Sequence, residues 1–448
     1  MTIQLPNNPK EDQYEDLIVA TLLASGYYTE SRLIMKDGEN KTEILELDAL
    51  ATPVNDYTNR VIVEAKSGKS GTGHKELFKL YGQAMYTGTS RAWLVHLLEH
   101  DEPKAAAMQE VSDGIDGCEV RAIRVSLEQL KDDDHDDPFP LAIDSESSVR
   151  DLVLGTAWWG RIADRLAQTS LKHWIKSYGK EPPAEVGACK NYCDGVERSL
   201  FKKTPLGRAD ALYDQYKAHG KVYGNAAALL AGDKTEVFRA YTGTHKHLHV
   251  QHLMATQGRA RLAIIKNAYD EILRRRAKTD GGSTDEFVFG NMTWAAFLEA
   301  TFLPTNFQRG LKELDHFKHA ERLAYFFQIF TEVLGGFYFP EDPGDMELVA
   351  AATGMPVEDI PTALDFMDRF FPLAQGASWF HSINGGIRIL KGVPGYLRGT
   401  GCFYRQAAHG IKDYGEQDSY AAGFPLSAWH SALYKTLEPE LKVDDEPA

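Results

Sequence analysis

The sequence predicts an α/β N-terminal domain, a mixed central sheet flanked by helices, followed by a large, mainly α-helical C-terminal region. Three observations predict it. Over residues 10–130, short apolar runs of strand character alternate with amphipathic helical segments. The run KDDDHDDP at 131–138 concentrates acid in one place and ends in proline, which reads as a surface linker because so dense a charge repels itself inside a core. From 140 to 438 the apolar residues recur mostly at helical spacing. A chain of 448 residues also exceeds one comfortable hydrophobic core. The expected organisation is a catalytic-sized domain at 10–130, an acidic linker at 131–139 and a helical region at 140–438 serving recognition, sensing or assembly.

Each element has its own signal. Residues 11–24 read as a helix, with Tyr14, Leu17, Ile18, Thr21 and Leu22 on one face and Gly26 as the stop. Residues 27–35 read as a strand and 37–40 as a turn. Residues 43–51 alternate Ile44, Glu46 and Asp48 against Leu45 and Leu47. The strongest strand signal is 59–66, with Val61, Ile62 and Val63 at its centre, and a Gly/Ser/Lys loop follows. Residues 74–87 read as a helix with Leu77, Leu80, Tyr81 and Ala84 inward. Strands at 91–98 and 118–125 bracket a short helix at 103–112. The short first connections allow a meander, and the later helices are long enough to be crossovers between parallel strands. Further on, helices are expected at 147–178, 206–232, 246–277, 293–301, 308–334, 357–370 and 425–436, with Gly258 as an interruption of the third. The Gly- and aromatic-rich stretch 376–406 reads as loops or short strands.

Composition excludes several classes. No apolar run approaches the roughly eighteen residues of a transmembrane helix, and Met1 to Glu15 lacks the basic-then-apolar pattern of a secretory signal. Four cysteines, Cys118, Cys189, Cys193 and Cys402, are too sparse for a disulfide framework and fit a reducing cytoplasm. A net charge of −15 argues against a generally basic nucleic-acid-coating surface. Any contact with nucleic acid must therefore come from a local site.

Asp48, Glu64 and Lys66 form such a site. Residues two apart on a strand share a face, so Glu64 and Lys66 point the same way at the end of an apolar V-I-V run. Two charges in that company cost free energy unless they are paired or bound to something. Asp48 sits late in the preceding strand, so pairing of the two strands brings the carboxylates together. Converging carboxylates repel, and a hard divalent cation relieves that repulsion. With the Lys66 amine alongside, these are the parts that hydrolyse a phosphodiester.

The pattern E-L-D48, a turn, then V-I-V-E64-A-K66 resembles the PD-(D/E)XK nucleases, the restriction-endonuclease-like superfamily. The resemblance covers residues 10–130. It implies a restriction-endonuclease-like fold, catalytic roles for Asp48, Glu64 and Lys66, and Mg2+ as cofactor, with Mn2+ as a substitute. Glu15, in YEDLI, matches the place where many members add an acidic residue from the first helix to the metal set. Gln83, with Tyr86, resembles the glutamine of some branches, at a shorter spacing. Leu47 stands where the family's proline is usual. The implied activity is that of a DNA endonuclease, with RNA left open as substrate, of the kind found in restriction or anti-phage defence effectors. A fold that binds nucleic acid or assembles complexes without cutting is the alternative, and a nuclease governed by a nucleotide or small-signal sensor in the helical region is another. No membrane role is expected, and the helical region offers surface for a homo-oligomer or a partner protein.

Other clusters have weaker meaning. Lys69, His74 and Lys75, in a glycine-rich loop after Lys66, could follow a phosphate backbone or simply be solvated. Cys189 and Cys193 would need two further ligands to hold zinc. His245, His247, His249 and His252 could bind a metal, or form a helix face touching a partner, nucleic acid or the core. Arg274, Arg275 and Arg276 end a helix, where cations favour the helix dipole. Lys202, Lys203 and Arg208, and Arg388, Lys391 and Arg398 among Trp379, Phe380, Tyr396 and Phe403, read either as a basic groove or as ordinary packing.

Overall fold

The computed structural model describes residues 11–36, 43–67, 74–96, 110–111, 113, 117–125, 137–177, 180–181, 184–200, 204–230, 245–280, 305–371, 378–383 and 387–409. Its N-terminal part runs α1 (Glu11–Ala24), β1 (Tyr27–Lys36), β2 (Glu43–Pro53), β3 (Val61–Lys66), α2 (His74–Thr87), β4 (Arg91–His96) and β5 (Glu119–Arg124). The strands form one sheet in the order β1-β2-β3-β4-β5. β1, β2 and β3 pair antiparallel, and β3, β4 and β5 pair parallel. This is the expected meander followed by crossovers. α1 lies against β1, β2 and β3, and α2 against β3, β4 and β5.

The central strands are apolar because both their faces are covered. Val61, Ile62, Val63, Ala92, Leu94 and Val95 are all buried. On α1 Tyr14, Leu17, Ile18, Thr21 and Leu22 are buried as expected, and so are Gln13, Asp16, Val19, Ala20 and Leu23, so the helix is covered nearly all round. On α2 it is Leu77, Leu80 and Ala84, joined by Gln83, while Tyr81 is only half-buried. Of the expected short helix at 103–112, residues 110 and 111 are helical and the remainder lies outside the described residues.

The remainder is mainly helical: α3 (Ser147–Ser177), α4 (Ala184–Ser199), α5 (Pro205–Leu230), α6 (His245–Asp280), α7 (Thr305–His316) and α8 (Ala320–Gln328), then a π turn at Ile329–Val333. After β6 (Phe337–Tyr338) come α9 (Pro343–Thr353), a 3-10 turn at Val357–Asp359 and α10 (Ile360–Phe370). β7 (Phe380–Ile383), β8 (Ile387–Leu390) and α11 (Gly395–His409) follow. β6, β8 and β7 make a small antiparallel sheet. No helix among the described residues is long and apolar enough to cross a membrane.

Several expectations need correction. The helix expected at 308–334 is two helices, because the chain turns at His319 (φ −124°, ψ 44°) beside Phe317, whose ring packs on Phe366. Gly258 does not interrupt α6. α4 and α9 lie where no helix was expected, and α11 begins inside the stretch read as loops or strands. The helices expected at 293–301 and 425–436 lie outside the described residues.

The helical part packs directly on the sheet. α3 runs along α1, and the Trp158 indole donates to the Gln13 carbonyl at 3.2 Å. β1 is the outer strand of the sheet, and its backbone polar groups are closed by side chains. Gln328 accepts from Thr29 N at 2.9 Å and donates to Thr29 O at 2.8 Å. Arg259 donates to Ser31 O at 2.6 Å.

Candidate active site

The register of β2 on β3 sets Ala49 opposite Val63, Leu50 opposite Ile62 and Ala51 opposite Val61. One step further places Asp48 opposite Glu64, and opposite residues of an antiparallel pair share a face. Backbone pairing stops there. Asp48 takes over the next position with its side chain, Oδ2 accepting from Ala65 N at 2.8 Å. Asp48 is therefore in the middle of its strand, not near its end as the sequence suggested, yet it meets the late position of β3 as expected.

The other side of Asp48 is also opened. β1 pairs with β2 through Ser31–Ala49 and Leu33–Leu47, and the intervening Arg32 has φ 52°. Among the described residues it is the one non-glycine in the left-handed region, a conformation that costs on the order of 1–3 kcal/mol. Its guanidinium turns to α1, with Nη2 donating to Asp16 Oδ1 at 2.9 Å and Nε 3.8 Å from Glu15 Oε2. The sheet thus loosens around one carboxylate, and a strained arginine ties that opening to the first helix.

Glu64 is 3% exposed. Its Oε1 is 2.8 Å from Lys66 Nζ and 3.0 Å from Lys79 Nζ. Lys79, on α2, was not anticipated. It lies off the apolar stripe of its helix, so only the crossing of α2 over β3 reveals its target. Lys66 keeps a raised pKa: burial works against its charge, but the hydrogen bond and charge of Glu64 overcome that. It is an ammonium at neutral pH, suited to charge stabilisation rather than to acting as a base.

Asp48 and Glu15 are instead pushed toward their neutral forms. Burial, then the charge of Glu64, pushes Asp48 up to about 7, against the pull of the Ala65 N–H and Lys66. Burial, then the charge of Asp48, pushes Glu15 up to about 8, partly offset by Arg32. Glu15 is thus electrostatically part of the site. Gln83 is buried and donates to Glu46 O at 3.0 Å, while its Oε1 has no partner among the described residues. Glu46 and Tyr86 are exposed, and the Tyr86 hydroxyl lies 3.4 Å from Met35 Sδ. His74 and Lys75 are exposed in the first turn of α2, and Lys69 lies outside the described residues.

Asp48, Glu64 and Glu15 offer hard oxygen donors of the type Mg2+ prefers, and Asp48 and Glu15 are pushed toward protonation by burial first and neighbouring negative charge second. That chemistry fits a divalent cation. Among the described residues, however, no three His, Cys, Asp or Glu side chains converge as a metal-holding group, and Lys66 and Lys79 supply the counter-charge at Glu64.

Several members of the other sequence clusters have partners within the fold. Arg274 and Arg275 pair with Glu271, and Arg276 with Asp315. Arg208 donates to Asn267. Arg388 pairs with Asp365 and stacks on Phe380. Trp379, Phe380 and Tyr396 are buried. His252 is buried against Asp164, while the side chains of His245, His247 and His249 lie outside the described residues, as do Lys202 and Lys203. No protein-family model matches the chain, and no curated protein or solved structure matches it either.

Proposed function

We propose that the N-terminal part is a metal-dependent phosphodiesterase of the PD-(D/E)XK, restriction-endonuclease-like type, and that it cuts DNA. One observation carries this reading: Asp48 and Glu64 occupy opposed positions on one face of the sheet where the strand ladder parts, with the Lys66 amine 2.8 Å from Glu64. Asp48 and Glu64, with Glu15 beside them, would hold Mg2+ or Mn2+. The ion when bound supplies Lewis acidity and an activated water. Lys66 holds a positive charge where negative charge grows on the phosphate. Lys79 shares Glu64 and positions it. Arg32 fixes Glu15 against the site.

The test uses the full chain with plasmid DNA and with RNA, in Mg2+, in Mn2+ and in EDTA. The wild type is expected to cut DNA only with a divalent ion. Lys66→Ala and Asp48→Asn are expected to lose about a hundred-fold or more of that activity while keeping the wild-type circular dichroism spectrum. A wild type that cuts neither polymer with either ion overturns the enzymatic reading and favours a nuclease fold used only for binding or assembly.

A further inference from the structure

A cavity of about 640 Å³ is lined by residues of α1, β1 and α6, among them Glu15, Arg32, His252 and Arg261. Its size falls in the range of small-molecule sites, about 300–1,000 Å³. The arginines on its wall differ in one respect. Arg32 pairs with Asp16, Arg165 with Asp16 and Asp12, and Arg161 with Glu332. Arg259 donates to Ser31 O. Arg261 is 2% exposed, and among the described residues it has no carboxylate partner; its Nη1 has no acceptor.

One face of the Arg261 guanidinium is covered by Trp379, 4.3 Å from the ring centroid. Gly392 (φ 74°) passes its edge, where an added Cβ would lie 3.7 Å from Nη1. The stack fixes the plane of the fork and leaves its donors unanswered. Burial pulls the pKa of this group down to about 10, so it still carries its charge at neutral pH. Elsewhere on the wall, His252 Nδ1 lies 3.2 Å from Asp164 Oδ1, which also accepts from the Tyr396 hydroxyl at 2.9 Å. Burial works against the imidazolium, but hydrogen bonds with Asp164 and Cys193 raise it to about 10. A buried guanidinium without an anion is expensive, and a bound oxyanion would remove that cost.

We propose that this cavity is a binding site for a small anionic molecule, whose phosphate or carboxylate group is gripped by Arg261. The cavity exceeds a lone oxyanion, so the ligand carries a body that extends toward Arg32. Asp48 and Glu64 do not line this cavity, although Glu15 does, and the binding test does not depend on cutting.

Binding is measured on the full chain by calorimetry with three probes at matched ionic strength: inorganic phosphate, adenosine 5′-monophosphate and succinate, with adenosine as the uncharged control. The first two against succinate separate phosphate from carboxylate. Saturable binding of one probe at one site per chain is expected, with adenosine silent. Arg261→Gln should weaken it about ten-fold or more, and the unliganded variant should melt at or above the wild-type temperature, because an unpaired buried charge has gone. Arg261→Lys, which keeps charge without the fork, should also bind more weakly and serves if the glutamine variant does not fold. Absence of saturable binding of all three probes to the wild type overturns the proposal. So does an Arg261 variant that binds as the wild type does.

Discussion

Asp48 and Glu15 hold protons that the unfolded chain would release. Asp48 is raised from 3.8 to about 7, by burial first and the charge of Glu64 second, and Glu15 from 4.5 to about 8, by burial first and the charge of Asp48 second. Between the unfolded and folded values the native state binds more protons, so by linkage these groups stabilise the fold at low pH and lose that contribution as pH rises. A divalent cation, if the proposed site holds one, would bind the ionised carboxylates, and its stabilisation should grow over the same interval. Urea denaturation from pH 5 to pH 8 without metal is therefore expected to show declining stability, and Mg2+ to flatten the decline. Asp48→Asn keeps an oxygen for the Ala65 N–H and removes the repelled charge. It should reduce the slope and be at least as stable as the wild type at pH 8. A variant less stable than the wild type there by more than about 1 kcal/mol would mean that the carboxylate stabilises the fold and is not strained by it.

At the scale of elements, β1 shows how the sheet edge is managed. An outer strand carries unpaired backbone groups that invite pairing with another chain. Gln328 meets both groups of Thr29 with one amide, in the manner of a neighbouring strand. Gln328→Ala leaves a buried N–H and a buried C=O unanswered, and each costs about 1–3 kcal/mol. The expected result is a fall in stability of about 2–4 kcal/mol, read from the urea midpoint, with no loss of α1 or sheet signal in the folded state. A change within experimental error would show that water reaches this edge. Much of the N-terminal part was legible because a two-residue or 3.6-residue period survives wherever an element buries one face. The common face of Glu64 and Lys66 was legible for the same reason, since the period of two fixes it, whereas the place of Asp48 opposite Glu64 depends on strand register. α9 is framed by local signals that apolar spacing alone passes over: Asp342 caps Gly344 and Asp345 with its side chain, Pro343 opens the helix, and Gly354 closes it at φ 65°. α11 was hidden by its glycines, which spacing rules count as breakers. Gly401 is small because Val333 O and Gly335 N would lie 2.5 and 2.6 Å from a Cβ there, so close packing against the π turn selected it. Lys79, Arg32 and Arg261 could not be read at all, because their partners are set by how elements cross.

The whole molecule places these pieces in one continuous apolar cluster extending from Tyr14 through Trp158 and Phe326 to Leu397. The acidic run reads as a surface linker, and residues 131–136 lie outside the described ones; the chain from 139 to 143 is docked on the sheet. Phe139 stacks on Trp93 at 5.3 Å, Tyr27 donates to Pro140 O, and Ala142 N donates to Ser25 O. Ile143 sits so close to Gly26 that a Cβ there would meet it at 2.7 Å. Cutting the chain at residue 130 would therefore uncover Trp93 and the α1–β1 corner, strip the Trp158 bond from α1 and expose the β1 edge that Gln328 and Arg259 close. The expected outcome is that residues 10–130 expressed alone aggregate or remain partly unfolded, seen as void-volume elution and lost near-ultraviolet dichroism. Extending the piece to 143 should not rescue it, because α3 and α8 still supply the missing faces. A monomeric, cooperatively melting fragment 10–130 would instead mean that the sheet and its two helices hold together on their own apolar surface. The helical part would then be an attachment to the candidate nuclease site and not a component of the fold that builds it.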